Sequence, residues 1–335
     1  MRHWDRRGAR AWLLWPVSLL FRGIAATRRL LYLAGLMRRE GAGVPVVVVG
    51  NLTAGGSGKT PLVLHVVGLL RDAGWHPGIV SRGHVPGRAA EDPPLPRQAT
   101  LVADPAVVGD EPILLARRSG CPVWVCADRV AACRALRASD PGCDVIVADD
   151  GLQHYALDRE VEICVLDPAG LGNRWSLPAG PLREPLSRLR SVDAVVVHGE
   201  GEVPGSVRQC FRMTLSGSRL INLVDASLQK PAASFSGARV HAVAGIGRPE
   251  RFFTQLAGFG IQVLRHPFPD HHAFRREDLD FGDGLPVVMT EKDAVKCKGF
   301  LQAHHWVFPV EAVLDPAGPA FGPWLLERLG GPKAA

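Results

Sequence analysis

Short unbroken apolar runs alternate with amphipathic stretches through most of the chain. The run Val44–Gly50 (VPVVVVG) is rich in β-branched residues, which is typical of a strand buried on both faces of a parallel sheet. A glycine-rich turn and a helical stretch, 59–73, follow it. Further strands are predicted at Gly78–Ser81, Val123–Ala127, Asp144–Asp149, Val161–Leu166 and Ala194–His198, with helices at 110–119 and 128–138. Strands that alternate with helices predict a doubly wound α/β domain.

A second, smaller α/β unit is predicted to begin between residues 200 and 235. Its strands are expected at Val240–Ala244, Ile261–Leu264 and Val287–Met289, with a helix at 248–258. The chain therefore divides into a first domain, 41–205, and a C-terminal domain, 206–335. Within the first domain the proline-rich residues 84–106 predict a surface loop.

The first forty residues combine an apolar run with arginines. The segment Ala11–Phe21 (AWLLWPVSLLF) is uncharged, but it is shorter than the roughly 20 residues that a membrane-spanning helix needs. On a helix one stripe of this region is apolar, and it contains Trp12, Trp15, Leu19, Gly23, Ala26, Leu30, Leu33 and Met37. Tryptophans beside arginines favour an amphipathic helix in the headgroup region of an anionic leaflet. A helix packed on its own domain is the alternative, and the two interpretations are compatible.

Positive charge is concentrated in the same segment. The first forty residues hold nine arginines and two carboxylates, whereas the whole 335-residue chain has a net charge of only +6. The remainder is nearly neutral, which argues against a general nucleic-acid-binding surface. The seven cysteines include no C-x-x-C pair, so neither a zinc ribbon nor a disulfide framework is predicted. No sequence feature indicates an obligate protein partner.

The strongest chemical signal is Gly50–Pro61 (GNLTAGGSGKTP), between the first predicted strand and its helix. It follows the phosphate-loop pattern G-x-x-x-x-G-K-[ST], except that Thr53 stands where the first glycine would be. Its glycines let backbone N–H groups converge on phosphate oxygens, Lys59 can reach the β- and γ-phosphates, and Thr60 can offer a hydroxyl to Mg²⁺. The predicted nucleotide-binding residues are Thr53, Ala54, Gly55, Gly56, Ser57, Gly58, Lys59 and Thr60.

Another predicted strand ends in carboxylates, in the segment Asp144–Asp150 (DVIVADD). A strand end beside a phosphate loop is where a second Mg²⁺ contact belongs, and Asp149 is a better candidate than Asp150. The alternative is a strand that merely ends in aspartate. Gln153 and His154 come next, at the edge of the sheet where ligands bind, and a structural role is equally open for them.

Three other segments contain candidate functional groups. In Asn173–Pro185, Arg183 can hold an anionic group and Glu184 can support the metal or the substrate, with a surface salt bridge as the alternative. Asp110 opens a predicted helix and is either an acid/base group or an N-cap. Phe268–His272 (FPDHH) offers His271 but lacks a convincingly spaced third zinc ligand. Thr290–Asp293 (TEKD) partly matches a guanine-reading motif, with its lysine one position too late.

Together these segments closely resemble the tetraacyldisaccharide 4′-kinases, the lipid A 4′-kinase family of Gram-negative bacteria. The resemblance covers about residues 10 to 310. The matching segments, in order, are TAGGSGKTP, SRG (81–83), GDEPILLA (109–116), DDGLQHYALDRE (149–160), LPAGPLREP (177–185), GIGRPERFF (245–253), FPDHH and MTEKDAVKC (289–297).

The resemblance implies phosphoryl transfer from ATP, with Mg²⁺, to the 4′-hydroxyl of a tetraacylated glucosamine disaccharide 1-phosphate. It also implies a P-loop NTPase-like domain, a C-terminal domain that closes the active-site cleft, and a membrane-associated helix within residues 1–40. Such a protein is expected on the cytoplasmic face of the inner membrane, peripheral or monotopic. By position, Asp110 and His271 form a catalytic dyad. Asp149, Asp150, Gln153, Arg183 and Glu184 join the binding site, and Thr60, Asp149 and Glu184 are the predicted metal ligands.

Two other functions remain open for a phosphate loop of this kind. One is a kinase or ligase that acts on a soluble metabolite. The other is a membrane-docked nucleotide switch, against which the displaced lysine of TEKD argues. Turnover of ATP against GTP, with and without an acylated disaccharide phosphate, distinguishes all three.

Overall fold

The computed structural model describes residues 4–83, 94–315, 318 and 320–333. Its strands are β1 Val46–Gly50, β2 Pro77–Ser81, β3 Arg97–Gln98, β4 Val123–Val125, β5 Val145–Asp149, β6 Val161–Leu166, β7 Ala194–His198, β8 Cys210–Ser216, β9 Arg219–Asn222, β10 Gln229–Pro231, β11 Arg239–Ala244, β12 Gln262–Pro267, β13 Val287–Thr290, β14 His305–Phe308 and β15 Glu311–Leu314. Its helices are α1 Ala9–Leu33, α2 Lys59–Asp72, α3 Pro105–Val108, α4 Asp110–Ser119, α5 Arg129–Ser139, α6 Pro249–Gly258, α7 Glu291–Ala294 and α8 Phe321–Arg328. Of the predicted loop 84–106, residues 84–93 lie outside the described residues, and the rest contains β3 and the start of α3.

Within the described chain, nine strands form a first sheet in the order β15-β8-β7-β6-β1-β5-β2-β4-β3. The inner strands are parallel, and the edge strands β15 and β3 run antiparallel to their neighbours. Val47 and Val49 of β1 enter a core shared with α2, α4 and α8, whereas Val46 and Val48 enter a core shared with α5. Because alternate side chains of a strand point to opposite faces, this two-sided burial accounts for the unbroken apolar run of β1.

A second sheet has the order β10-β9-β14-β13-β11-β12. Its strands β14, β13, β11 and β12 are parallel, and β9 and β10 are antiparallel additions. Helix α6 covers one face through Phe252, Phe253 and Leu256. The two sheets make this an α/β fold with mixed sheets.

The second sheet is an insertion between two strands of the first. The chain leaves the first sheet after Ser216 and returns at Glu311, and these two residues are register partners in the β8–β15 pair. Helix α8 then adds Phe321 and Leu325 to the core under α2. The predicted C-terminal domain, 206–335, thus includes three elements, β8, β15 and α8, that belong to the first sheet and its core. We call residues 4–216 and 311–333 the first unit and residues 219–308 the second unit.

Helix α1 lies on the first unit along a narrow stripe. Ser18 is buried, where its hydroxyl donates to Ser176 O (2.9 Å) and accepts from Ala179 N (2.9 Å). The rings of Trp12 and Trp175 meet edge to face, with centroids 4.9 Å apart. Most large apolar side chains of α1 nevertheless remain exposed, including Leu13, Val17, Leu20, Ile24, Leu30 and Leu33. Among the described residues, no helix has both the length and the apolar character required to cross a membrane.

Candidate active site

The glycine-rich segment connects β1 to α2 at the carboxyl end of the central strand. Gly58, the residue before α2, has φ 88°, and a Cβ there would lie 2.8 Å from His198 Nδ1. Only glycine fits this conformation and this close approach. No side chain caps α2, so its first N–H groups point into the site. An uncapped helix start of this kind is suited to binding an anion.

Lys59 lies among carboxylate and amide oxygens at the base of this loop. Its ammonium donates to Asn51 Oδ1 (3.1 Å) and lies 3.4 Å from Asp150 Oδ1. Arg183 donates to both oxygens of Asp150, at 3.0 and 2.8 Å. Burial acts to raise the pKa of Asp150, but the charges of Lys59 and Arg183 outweigh it and hold that pKa well below its usual range. Asp150 is therefore ionised, and it holds the cationic side chains of Lys59 and Arg183 in place.

The backbone of Asp150 has φ 52°, in the left-handed region that glycine favours. Arg129, which is buried, donates to the carbonyl oxygen of Asp150 at 3.3 Å and to two carbonyls of its own loop. Strained backbone of this kind is often found at functional sites. Sequence reasoning missed Arg129, because an arginine at the start of a helix carries no motif.

Asp149 is fully enclosed at the end of β5. Its Oδ2 accepts a hydrogen bond from Ser81 (3.0 Å), and its Oδ1 has no hydrogen-bond partner among the described residues. Burial, reinforced by the nearby carboxylates of Glu111 and Asp150, raises the pKa of Asp149 to about 7. A buried carboxylate oxygen without a donor is an arrangement that a cation would satisfy.

Asp149→Asn should stabilise the metal-free fold at neutral pH. Because the pKa of Asp149 rises from 3.8 to about 7 on folding, ionisation increasingly favours the unfolded chain between those pH values and contributes a constant penalty above them. With a chelator present, thermal unfolding at pH 8 should show the variant a few degrees above the wild type. The difference should vanish towards pH 4, and a variant that melts below the wild type at pH 8 would contradict the interpretation.

Glu184 is buried and satisfied by protein groups. Its Oε2 accepts from Gln153 Nε2 (2.9 Å), its Oε1 accepts from the Tyr155 hydroxyl, and Arg188 Nε lies 3.9 Å away. Gln153 also donates to Asn51 O (3.1 Å), at the entrance to the glycine-rich loop. That Glu184 binds a metal stays a prediction, and these contacts favour instead a supporting role behind the loop.

The segment before Arg183 borders the glycine-rich loop directly. Ala54 N donates to Pro181 O (2.8 Å), and Arg183 N donates to Leu52 O (2.7 Å). Thr53 and Leu182 form an isolated β-bridge. These backbone contacts place Arg183 beside Asp150 and connect the loop to the segment that holds α1.

The second unit lies directly against this site, and we call the boundary between the two units at the glycine-rich loop the cleft. Gly247, which follows β11, approaches the loop so closely that a Cβ on it would lie 2.9 Å from Gly56 N. Arg251 of α6 contacts His198 Nδ1 at 3.1 Å and pairs with Asp167 of the first unit at 2.8 Å. The glycine-rich loop is therefore covered by residues of the second unit.

Asp110 and His271, predicted to meet from different units, are in contact. His271 Nδ1 lies 3.2 Å from Asp110 Oδ2. His271 has φ 61°, again in the left-handed region, and its N–H bonds to Gly245 O (3.3 Å). Asp110 is buried as the first residue of α4, and the residue that caps this helix is Gly109. The alternative of Asp110 as an N-cap is therefore not the arrangement found.

Charges around this pair set its protonation. Burial acts to raise the pKa of Asp110, but the hydrogen bond from His271 and the positive charges of Lys292 and Lys296 bring it below its usual value. The pKa of His271 is raised above its usual value, because the hydrogen bond to Asp110 outweighs burial and the charge of Lys292, which act in the opposite direction. At neutral pH Asp110 is a carboxylate, available to accept a proton.

The structure thus brings most of the predicted residues to one cleft. Lys59, Asp149, Asp150 and Arg183 lie around the glycine-rich loop, and Thr60 is the second residue of α2. His154 lies farther back, where its Nε2 accepts from Arg129 N (3.3 Å). In the described part of the chain no three His, Cys, Asp or Glu side chains converge on a common metal position. The sequence predicts no role at the site for Asn51, Ser81, Arg129 and His198, and it identifies Lys292 only as the displaced lysine of TEKD.

Comparison with known proteins extends over nearly the whole chain. A family model for tetraacyldisaccharide-1-P 4′-kinase (LpxK) matches residues 10–330. A tetraacyldisaccharide 4′-kinase of Azoarcus sp. (strain BH72) is 53% identical over 329 residues, covering 98% of this chain and 94% of the relative. One of Aromatoleum aromaticum is 54% identical over 316 residues, covering 92% of this chain and 91% of the relative.

A solved structure supports the same relationship. The crystal structure of LpxK from Aquifex aeolicus in complex with ATP superposes with a TM-score of 0.80 at 28% identity, covering 95% of this chain and 99% of that one. The resemblance expected from the sequence motifs is confirmed. The chain belongs to the tetraacyldisaccharide-1-phosphate 4′-kinase family.

Proposed function

We propose that this protein is an ATP-dependent kinase that phosphorylates the 4′-hydroxyl of a tetraacyldisaccharide 1-phosphate, a step of lipid A biosynthesis. Family membership supports the substrate. The observation that carries the mechanism is the Asp110–His271 pair, which joins the two units at the cleft that holds the glycine-rich loop. A kinase needs mainly charge placement and a proton acceptor for the attacking hydroxyl, and this cleft contains both.

The first unit acts as a P-loop NTPase-like domain in this proposal. Backbone N–H groups of Gly55 to Thr60 bind the phosphates of ATP, and the uncapped start of α2 adds the favourable end of its dipole. Lys59 neutralises charge on the phosphates that it reaches. Asn51 and Asp150 hold the ammonium in place until the nucleotide binds.

Two residues would hold the Mg²⁺ that such a reaction requires. Asp149 has a buried carboxylate oxygen without a donor among the described residues, and Thr60 occupies the position whose hydroxyl a phosphate loop offers to the ion. When bound, the ion neutralises charge on the phosphates. Asp150 is less suited, because Arg183 and Lys59 already occupy both of its oxygens.

Asp110 acts as the base. Its Oδ2 accepts from His271, and its Oδ1, which accepts from Glu111 N (2.9 Å), keeps a further lone pair for the proton of the sugar hydroxyl. The positive charges around Asp110 keep it ionised before the reaction, so that it can accept the proton. His271 orients the carboxylate.

Helix α1 binds to the lipid surface in this proposal and so places the active site close to its lipid substrate. Its outward apolar side chains and the arginines of the first forty residues suit the headgroup region of an anionic leaflet. The protein then works on the cytoplasmic face of the inner membrane, as a peripheral or monotopic enzyme. Docking by α1 also explains why so many of its large apolar side chains remain exposed after it has packed on the first unit.

Charges placed on the outer face of α1 should weaken vesicle binding. Leu13 and Leu20 are 80% and 65% exposed, so Leu13→Glu with Leu20→Glu should leave the fold unchanged. Loss of two leucines from a lipid interface should weaken binding to anionic vesicles by about 100-fold or more, measured by co-sedimentation. The matched control, Val102→Glu with Val224→Glu, alters residues that are 92% and 59% exposed elsewhere, and equal loss in both variants would contradict docking through α1.

Turnover with defined substrates tests the proposed function. The purified chain is incubated with Mg²⁺ and ATP or GTP, with and without acylated disaccharide 1-phosphate, and the lipid product is examined by ³¹P NMR. A new 4′-phosphate that forms with ATP supports the proposal. Turnover that does not depend on the lipid, or that prefers GTP, favours the soluble-metabolite enzyme or the nucleotide switch instead.

A further inference from the structure

Lys292 lies in the cleft with its ammonium surrounded by acceptors. Nζ is 3.0 Å from Glu111 Oε1, 3.2 Å from Asp270 Oδ1 and 3.3 Å from His271 Nε2. A lysine ammonium has three N–H donors, and here each has one acceptor. Its side chain is only 14% exposed. Burial acts to lower the pKa of Lys292, but Glu111, Asp110 and Asp270 outweigh it and raise that pKa, so the donor is charged.

This donor arrangement determines which nitrogen of His271 carries the proton. Since Lys292 has no acceptor to offer, His271 Nε2 must accept, and the ring proton must lie on Nδ1. From Nδ1 it points at Asp110 Oδ2, 3.2 Å away. A second proton, on Nε2, would point at the ammonium. Lys292 therefore opposes the imidazolium form as well as the other neutral tautomer.

The neighbouring residues of α7 hold Lys292 in position. Thr290 caps the helix by accepting from Asp293 N (3.2 Å), and Asp293 accepts from Gly245 N (2.9 Å), the residue whose carbonyl binds His271 N. Glu291 accepts from Arg118 of the first unit at 2.6 and 2.8 Å. Glu291, Lys292 and Asp293 thus each bond to a residue outside the segment TEKD, which the partial match to a guanine-reading motif does not explain.

We propose that Lys292 is a positioning residue of the phosphoryl-transfer site, one that fixes His271 as the neutral Nδ1–H tautomer with its donor aimed at Asp110. The effect on turnover rests on the proposed function, whereas the tautomer does not. Because Nε2 is occupied by Lys292, Asp110 is the member of the pair that faces the hydroxyl. In the part of the chain that the structure describes, the charged groups around His271 are Asp110 on α4, Lys292 on α7 and Asp270 on its own loop, with Glu111 and Lys296 one contact further away.

Nitrogen chemical shifts of the wild-type protein test the tautomer directly. The full chain is labelled with ¹⁵N-histidine, and its spectrum is compared with that of His271→Gln to identify the signals of His271. The expected result is a protonated Nδ1 and an unprotonated Nε2 near pH 8. An Nε2–H tautomer would overturn the proposal, whether or not the chain proves to be a kinase.

Variants of Lys292 then separate charge from packing. In Lys292→Met the titration midpoint of His271 should move to higher pH, whereas Lys292→Arg should keep it near that of the wild type. In the lipid assay, kcat of Lys292→Met at pH 6 should fall about tenfold or more, as expected for a lost hydrogen bond to a charged group, and the loss should shrink towards pH 9. Lys292→Gln keeps a hydrogen-bond donor without the charge, so its kcat at pH 6 should lie between those of Lys292→Met and Lys292→Arg. An unmoved titration midpoint in Lys292→Met, or a loss of kcat that is the same at every pH, would overturn the proposal.

Discussion

Lys59→Ala should nearly abolish phosphoryl transfer while leaving the fold intact. The change removes a positive charge that reaches the phosphates, and the loss of one such contact in an enclosed site typically lowers kcat by about 10²–10³-fold. The fold should survive, because Arg183 still pairs with both oxygens of Asp150 after the ammonium is gone. Initial rates with saturating lipid and ATP measure the effect, and thermal unfolding checks the fold.

A matched lysine provides the control. Lys333 pairs with Asp144 at 3.5 Å on the far side of the first unit, so Lys333→Ala also removes a lysine from an ion pair. Its turnover should equal that of the wild type. If both variants lose turnover equally, or if Lys59→Ala keeps it, Lys59 does not act on the phosphates.

Asp110→Asn should lower kcat by about 10²–10⁴-fold, the range typical of a general base, with little change in the KM for ATP. The amide oxygen can still accept from Glu111 N, so a role confined to the start of α4 predicts nearly unchanged activity. The amide nitrogen, by contrast, cannot accept from His271 or from the sugar hydroxyl. The two roles therefore give opposite results for this one variant.

Loss of His271, the partner of Asp110, should lower kcat as well, but it should not lower it further in the absence of Asp110. His271→Ala should also lower kcat strongly, and the double variant should be scarcely worse than either single one, since residues that act as a unit are not additive. His272→Ala is the control, because His272 lies in the same loop and bonds to Asp278 at 3.0 Å, away from the pair. Losses that simply multiply would contradict a dyad.

Central strands of the first sheet could be predicted from the sequence because burial on both faces produces unbroken apolar runs. Strand β1 is such a case. The last two strands on one side of this sheet, β8 and the edge strand β15, are different. In β8 buried and exposed residues alternate, and in β15 only Ala312 is buried, so neither forms an unbroken apolar run. The chain returns to the first sheet at β15 because β15 pairs with β8, which lies far away in the sequence. A local pattern of apolar residues does not predict such a pairing.

The candidate site divides in the same way. Lys59 and Asp149 are recognisable because a phosphate loop and a strand that ends in carboxylates are local signals. Both carboxylate oxygens of Glu184 accept hydrogen bonds, one from Gln153 and one from Tyr155. The spacing of these three residues along the sequence does not predict that they meet. Lys292 acts through contacts with residues of both units, which only the folded chain brings together.

The position of α8 has a consequence for folding during synthesis. The core beneath α2 includes Phe321 and Leu325, which are translated after the whole of the second unit. The N-terminal part of a chain normally folds first as it leaves the ribosome. Here we expect the first unit to remain incomplete, with the edge of β8 unpaired, until β15 and α8 have emerged. Nascent chains that stop before β15 should therefore be sensitive to protease throughout the first unit, even though the glycine-rich loop and most of its sheet are already present.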